Sequence, residues 1–172
     1  EQQQPAARMR AIDILTDLFG GIPSTAAEIL ATARSNELRA RAVWSLGAKP
    51  PHPLPLDVLV PYLNDNDAYV RRRALETVAR LSGNLSVLLP SIARCMNDDD
   101  RQVRLAAARV VPGLNSAQFK EVADTARRIN WKAALTTTLG YVWRTQAQNQ
   151  AYNAYAVDLG KRILEGKHPI DR

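Results

Sequence analysis

Cysteine is almost absent from this sequence. Cys95 is the single thiol among 172 residues, which excludes an internal disulfide and any metal site built from several thiolates. Histidine is nearly as scarce. His52 and His168 have no acidic partner at the spacing of a zinc site. A Gly-rich phosphate loop and a nucleophile elbow are both missing. Asp98-Asp99-Asp100 lacks the spaced acceptors and terminal Glu of a calcium loop. No catalytic residue, metal or cofactor is therefore expected. No apolar run approaches the roughly 20 residues that span a hydrocarbon core, so membrane insertion is not expected either. Glu1-Gln2-Gln3-Gln4-Pro5 has neither an initiating Met nor the order of a signal peptide. It reads as a processed end or as the edge of a piece of a larger protein, and no feature indicates a compartment or an oligomeric state.

Aromatic residues are also few, at 6%, against 46% hydrophobic residues and 26 alanines. That balance suits helices packed closely through small side chains better than a sheet sandwich. The length fits one domain over residues 1–172. A net charge of +6 permits contact with nucleic acid, anionic lipid or an acidic protein surface. The excess is spread along the chain, with 14 Lys/Arg against 12 Asp/Glu up to residue 115 and 9 against 5 after it.

The strongest signal is an internal repeat. Leu59, Leu63, Asp65, Asp67, Val70-Arg71, Ala74, Val78 and Leu81 recur at one constant offset as Ile92, Met96, Asp98, Asp100, Val103-Arg104, Ala107, Val111 and Leu114. A weaker copy lies one period earlier, at Leu38-Arg39, Ala42-Val43 and Leu46. Apolar positions three or four apart that change register at a polar turn predict helical hairpins at 24–48, 56–82 and 85–114. Ile12, Leu15, Leu18 and Phe19 predict a capping helix over 5–21, closed by Gly20-Gly21. Further helices are predicted over 116–166, on the stripes Phe119-Val122-Ala126, Trp131-Ala134-Leu135-Leu139-Val142 and Tyr152-Tyr155-Leu159-Ile163.

Local punctuation agrees with these elements. Thr25 and Glu28 have capping-box spacing, and Asn64 to Asp67 and Asn97 to Asp100 offer acceptors for the free amides of the helices that follow. Gly83-Asn84 is a stop signal. The four prolines between Lys49 and Pro55 predict an extended connector.

The order apolar helix, Asp-rich turn, then Val-Arg-x-x-Ala, seen at 70–74 and 103–107, resembles the HEAT repeat and the related repeats of phycobilisome lyases. The resemblance covers roughly residues 24–114. It implies an all-α, right-handed α-solenoid of helical hairpins, with terminal capping helices. It also implies that the turn aspartate and arginine bridge neighbouring repeats, which assigns repeat stacking to Asp67 with Arg71, Asp100 with Arg104, and Arg39. Ser35 stands where the acid opposite Arg39 belongs, so the ladder is expected to be broken at its first rung.

Stacking turns the repeat offset into columns across the face formed by the second helices. One column is Trp44, Glu76 and Arg109, and its neighbour is Arg41, Arg73 and Ala106. An aromatic flanked by arginines is the composition of protein interface hot spots, so these positions are the candidate partner-binding residues. Arg71-Arg72-Arg73 with Arg80 form a candidate basic patch, weakened by the acidic turns beside it. Trp131, Trp143, Tyr141, Tyr152 and Tyr155 are expected to cap the C-terminal end as core. Cys95, between Ile92 and Met96, reads as a packed thiol.

These observations favour a non-catalytic protein-binding or scaffolding module, its partner another protein or a neighbouring domain. The resemblance carries two alternatives. One is nucleic-acid binding like that of HEAT-like DNA glycosylases, for which no catalytic Asp is found near exposed aromatics. The other is a chromophore lyase or chaperone, or an accessory module of a larger enzyme. Some such proteins carry c-type cytochrome domains, whose Cys-x-x-Cys-His motif this chain does not have.

Overall fold

The structure is a computed structural model that describes residues 5–48, 54–81, 83–143, 157–158 and 161. The proline connector with His52, most of the helix expected around Tyr152 to Ile163, and His168 lie outside the described residues, as do the side chains of Tyr141 and Trp143. Every regular element among the described residues is helical. The chain divides into two compact units, Glu1–Gly83 and Asn84–Arg172.

The first unit contains α1 (Pro5–Phe19), α2 (Ser24–Leu30), α3 (Asn36–Leu46), α4 (Val60–Leu63, preceded by a 3-10 turn at Leu56–Leu59) and α5 (Ala68–Val78). α3 packs between α1 and α5, while α2 backs α3 and α4 backs α5. The residues that repeat in the sequence are those that pack. Leu38, Ala42, Val43 and Leu46 of α3 and Val70, Ala74, Leu75 and Val78 of α5 are all buried. Burying the Leu and Val side chains among them contributes about 1.5–3 kcal/mol each. The Tyr62 hydroxyl crosses the core and donates to the Ala27 carbonyl, tying α4 to α2. Burial there raises the Tyr62 pKa well above that of a free phenol. Thr77 donates to the Val43 carbonyl at 2.9 Å, tying α5 to α3.

The second unit contains α6 (Leu89–Cys95, preceded by a 3-10 turn at Ser86–Leu88), α7 (Arg101–Val110), α8 (Ser116–Ile129) and α9 (Trp131–Trp143). α6 packs on α8, α7 on α9, and each also touches its hairpin partner. Ile92, Met96, Val103, Ala107, Val111 and Leu114 repeat the core positions of the first unit and are buried, joined by Phe119, Val122 and Ala126 of α8. Cys95 is buried as a free thiol in α6.

The turn aspartates act as caps. Asp67 accepts from the Tyr69 and Val70 amides at 2.8 and 3.2 Å, and Asp100 accepts from Gln102 and Val103 at 2.6 and 3.1 Å. Ser35 does the same for α3, accepting from Leu38 at 3.2 Å. One local expectation fails. Thr25 caps nothing, because α2 begins at Ser24 behind Pro23, whose extended backbone (φ −61°, ψ 149°) opens the helix without a side-chain bond. The capping box lies instead at Asn115 and Gln118, at the start of α8.

The expected N-terminal helix forms as α1, in which Leu18 and Phe19 are 72% and 66% exposed and only Ile12 of the apolar stripe is buried. Polar contacts set this orientation. Thr16 donates to the Ile12 carbonyl at 2.6 Å and lies 2.6 Å from the Ser45 hydroxyl, which accepts from the Ile22 amide at 3.0 Å. Since the one hydroxyl hydrogen of Thr16 is committed, Ser45 donates to Thr16. Gly21, at φ +131°, passes over the Ser45 carbonyl so closely that a Cβ would meet it at 2.6 Å. Only glycine fits that passage.

Candidate functional site

α1, α3 and α5 present side chains to one shallow groove of about 230 Å³, lined by Met9, Glu37, Ala40, Arg41, Tyr69 and Arg73. Two predicted contact residues, Arg41 and Arg73, meet there. Neither is a loose cation. Arg41 Nε lies 2.6 Å from Asp13 Oδ1 of α1, an approach too oblique for a hydrogen bond, so charge alone holds that buried oxygen. The same guanidinium stacks 4.8 Å from the centroid of the Trp44 ring. Arg73 reaches Glu76 at 2.6 Å, and Arg72 reaches the other oxygen of Glu76 at 2.8 Å. Burial pulls the Glu76 carboxyl upward, but the bonds from Arg72 and Arg73 outweigh it and hold the group below its ordinary value.

The predicted basic patch is thus partly neutralised from within. Arg80 is exposed, but it lies beyond the end of α5 at Val78 and no longer follows the helical stripe. Trp44 is half-buried, with Arg41 over its ring. Arg109 is exposed on α7 in the second unit.

Two groove residues carry no repeat signal. Tyr69 is 48% exposed in the first turn of α5, a large aromatic where the next repeat has Gln102. Glu37 accepts from the Ser35 hydroxyl at 2.8 Å, which holds its carboxyl below the usual range. Asp13 is equally hidden from the sequence, because α1 lies outside the period.

The arginine ladder differs from its expected form. Arg39 is not left without an acid. Its Nε and Nη2 donate to the two oxygens of Asp65 at 2.6 and 2.8 Å, while Nη1 donates back to the Ala33 and Arg34 carbonyls at 2.8 and 3.3 Å. The acid of the first rung is therefore Asp65, and that rung is intact. Asp67 reaches the preceding hairpin through the Asn36 amide at 2.7 Å, and that bond, with its amide partners, lowers its pKa. Arg71 and Arg104 keep the inward half of the motif. Arg71 Nη1 donates to the Asp65 and Asn66 carbonyls at 2.7 and 3.0 Å, and Arg104 Nη1 donates to those of Asp98 and Asp99 at 2.6 and 2.9 Å.

In the second unit Trp131 is 46% exposed, not core as expected. α9 starts directly after Asn130, whose side chain accepts from the Ala133 amide at 3.0 Å. With no turn between α8 and α9, the ring is left at the head of the helix.

No group of three or more His, Cys, Asp or Glu among the described residues could hold a metal ion. No helix among them is long and apolar enough to cross a membrane.

Helical hairpins, each with a serine or aspartate cap and an arginine folded back on its own turn, define an all-α solenoid repeat. Residues 23–112, just over half of the chain, match the family model of HEAT repeats, and the chain belongs to that family. Comparison with curated proteins and with solved structures gave no significant match.

Proposed function

We propose that the chain is a non-catalytic protein-binding module and that the groove across α1, α3 and α5 is its contact surface. The observation that carries this reading is the pairing of its arginines. Arg41 is paired with Asp13, and Arg73 shares Glu76 with Arg72, so the groove offers fixed donors and acceptors of both signs beside an exposed tyrosine. Tyrosine, tryptophan and arginine dominate the energetics of protein interfaces. A phosphate backbone selects for uncompensated cations, and Asp13 and Glu76 partly compensate these. Membership of the HEAT repeat family supports a scaffold role in general terms.

The test pairs a pull-down from the protein's source with a titration of labelled single- and double-stranded DNA at two salt concentrations. Wild type is expected to capture a partner that Tyr69→Ala and Trp44→Ala lose, with about tenfold weaker binding per substitution. Steeply salt-dependent DNA binding, insensitive to Tyr69, would replace this reading with a nucleic-acid one.

A further inference from the structure

The second unit holds an arginine at the ladder position whose outward donors meet no acid among the described residues. Arg104 corresponds to Arg39 through the repeat, by way of Arg71. Both Arg39 and Arg104 use Nη1 to close their own turn. In Arg39, Nε and Nη2 then grip both oxygens of Asp65. Arg104 has no such bond to a carboxylate among the described residues. One period after Asp98, itself the counterpart of Asp65, the sequence has Trp131. Where Arg39 faces an acid on the following hairpin, Arg104 lines an open groove between α7 and α9.

That groove has a volume of about 340 Å³, near the lower limit of pockets that enclose small ligands, roughly 300–1,000 Å³. Leu105, Ala108, Trp131 and Leu135 give it apolar walls, and Arg101, Arg104 and Lys132 stand on it as cations. No acidic residue among the described residues lines it. The nearby Asp100 carboxylate is taken up by the amides that it caps.

We infer that the groove between α7 and α9 is a docking site for a partner segment that presents an Asp or Glu carboxylate beside an apolar side chain. The carboxylate is received by the Nε and Nη2 edge of Arg104, as Asp65 is received by Arg39. The apolar neighbour lies against Trp131 and Leu135, and Arg101 and Lys132 draw in the acidic segment. The fork geometry selects a planar carboxylate over a point charge of the same sign. This deepens the protein-binding reading by giving the chemistry of a partner, at a site separate from the groove of the first unit.

The experiment titrates the whole chain with a fluorescein-labelled synthetic peptide of alternating aspartate and leucine. Its asparagine-leucine counterpart and a single-stranded DNA of matched charge serve as competing probes. Saturable binding of the acidic peptide is expected, with affinity falling about tenfold or more for the asparagine peptide and for Arg104→Lys, which keeps the charge but loses the fork. Leu135→Ser, on a partly exposed side chain, is expected to weaken binding about fivefold, which guards against a folding defect in the arginine variant. Equal affinity for both peptides would overturn the inference, as would affinity unchanged in both variants. DNA bound as tightly as the acidic peptide would reduce the site to general charge attraction and overturn it as well. Tyr69→Ala leaves this titration unchanged, so failure here and failure of the first-unit groove are read separately.

Discussion

Arg39 and Arg104 occupy the same place in their hairpins, yet one ends on a carboxylate and the other on an open groove. Each folds one edge of its guanidinium onto the turn before its own helix. The next stretch of chain separates them. After Arg39 comes a hairpin whose turn supplies Asp65. After Arg104 come α8 and α9, joined through Asn130 alone, with Trp131 at the head of the second helix. The contrast teaches that this arginine has two separable tasks, closing its own turn and recognising a carboxylate, and that only the first is fixed by its own repeat.

The largest expected effects test what the two hairpins share. Leu59→Ala and Ile92→Ala remove equivalent, fully buried side chains and should each cost about 3 kcal/mol in urea denaturation. A clear inequality would mean that the equivalence stops at the sequence. Next come the arginines. Arg39→Ala strands Asp65, whose side chain is only 7% exposed, and should cost about 3 kcal/mol. Arg104→Ala loses only its bonds to two carbonyls and should cost about 1 kcal/mol. Equal losses would dissolve the distinction between them.

A smaller effect concerns the caps. Ser35→Ala removes the acceptor for the Leu38 amide and should cost about 1 kcal/mol, whereas Ser35→Asp should restore the cap. The smallest effect is a pH dependence. The Asp67 carboxyl is held below its ordinary value, chiefly by Asn36. Its contribution is complete above the unfolded aspartate value of about 3.9 and is lost as pH falls through the lower, folded value. Chemical denaturation between about pH 5 and pH 2 should show less acid sensitivity in Asp67→Asn than in wild type.

Hairpins and their cores were legible in the sequence because burial imposes a spacing that recurs with each repeat. Leu59 and Ile92, or Val70 and Val103, announce themselves in that way. Ion pairing carries no such period. Asp13 lies on α1, outside the repeat, so the sequence made Arg41 look like a free contact residue. Asp65 and Asp67 both recur at the same offset, so the sequence does not say which of them meets Arg39, and geometry shows that Asp67 serves its cap and Asn36 while Asp65 meets Arg39. Composition points Trp131 to the core because aromatics near an end usually pack there. The missing turn between α8 and α9 turns it outward instead.

The passage of Gly21 over the Ser45 carbonyl has a consequence for how the chain tolerates change. The hydroxyls of Thr16 and Ser45 and the amide of Ile22 form one relay, in which each proton already has a destination. A methyl group at Gly21 would push on the backbone that carries this relay. The join between α1 and the first hairpin therefore behaves as a lock with a single key shape. Neighbouring exposed positions such as Leu18 and Phe19 are free to vary, whereas the small residues beside them are not.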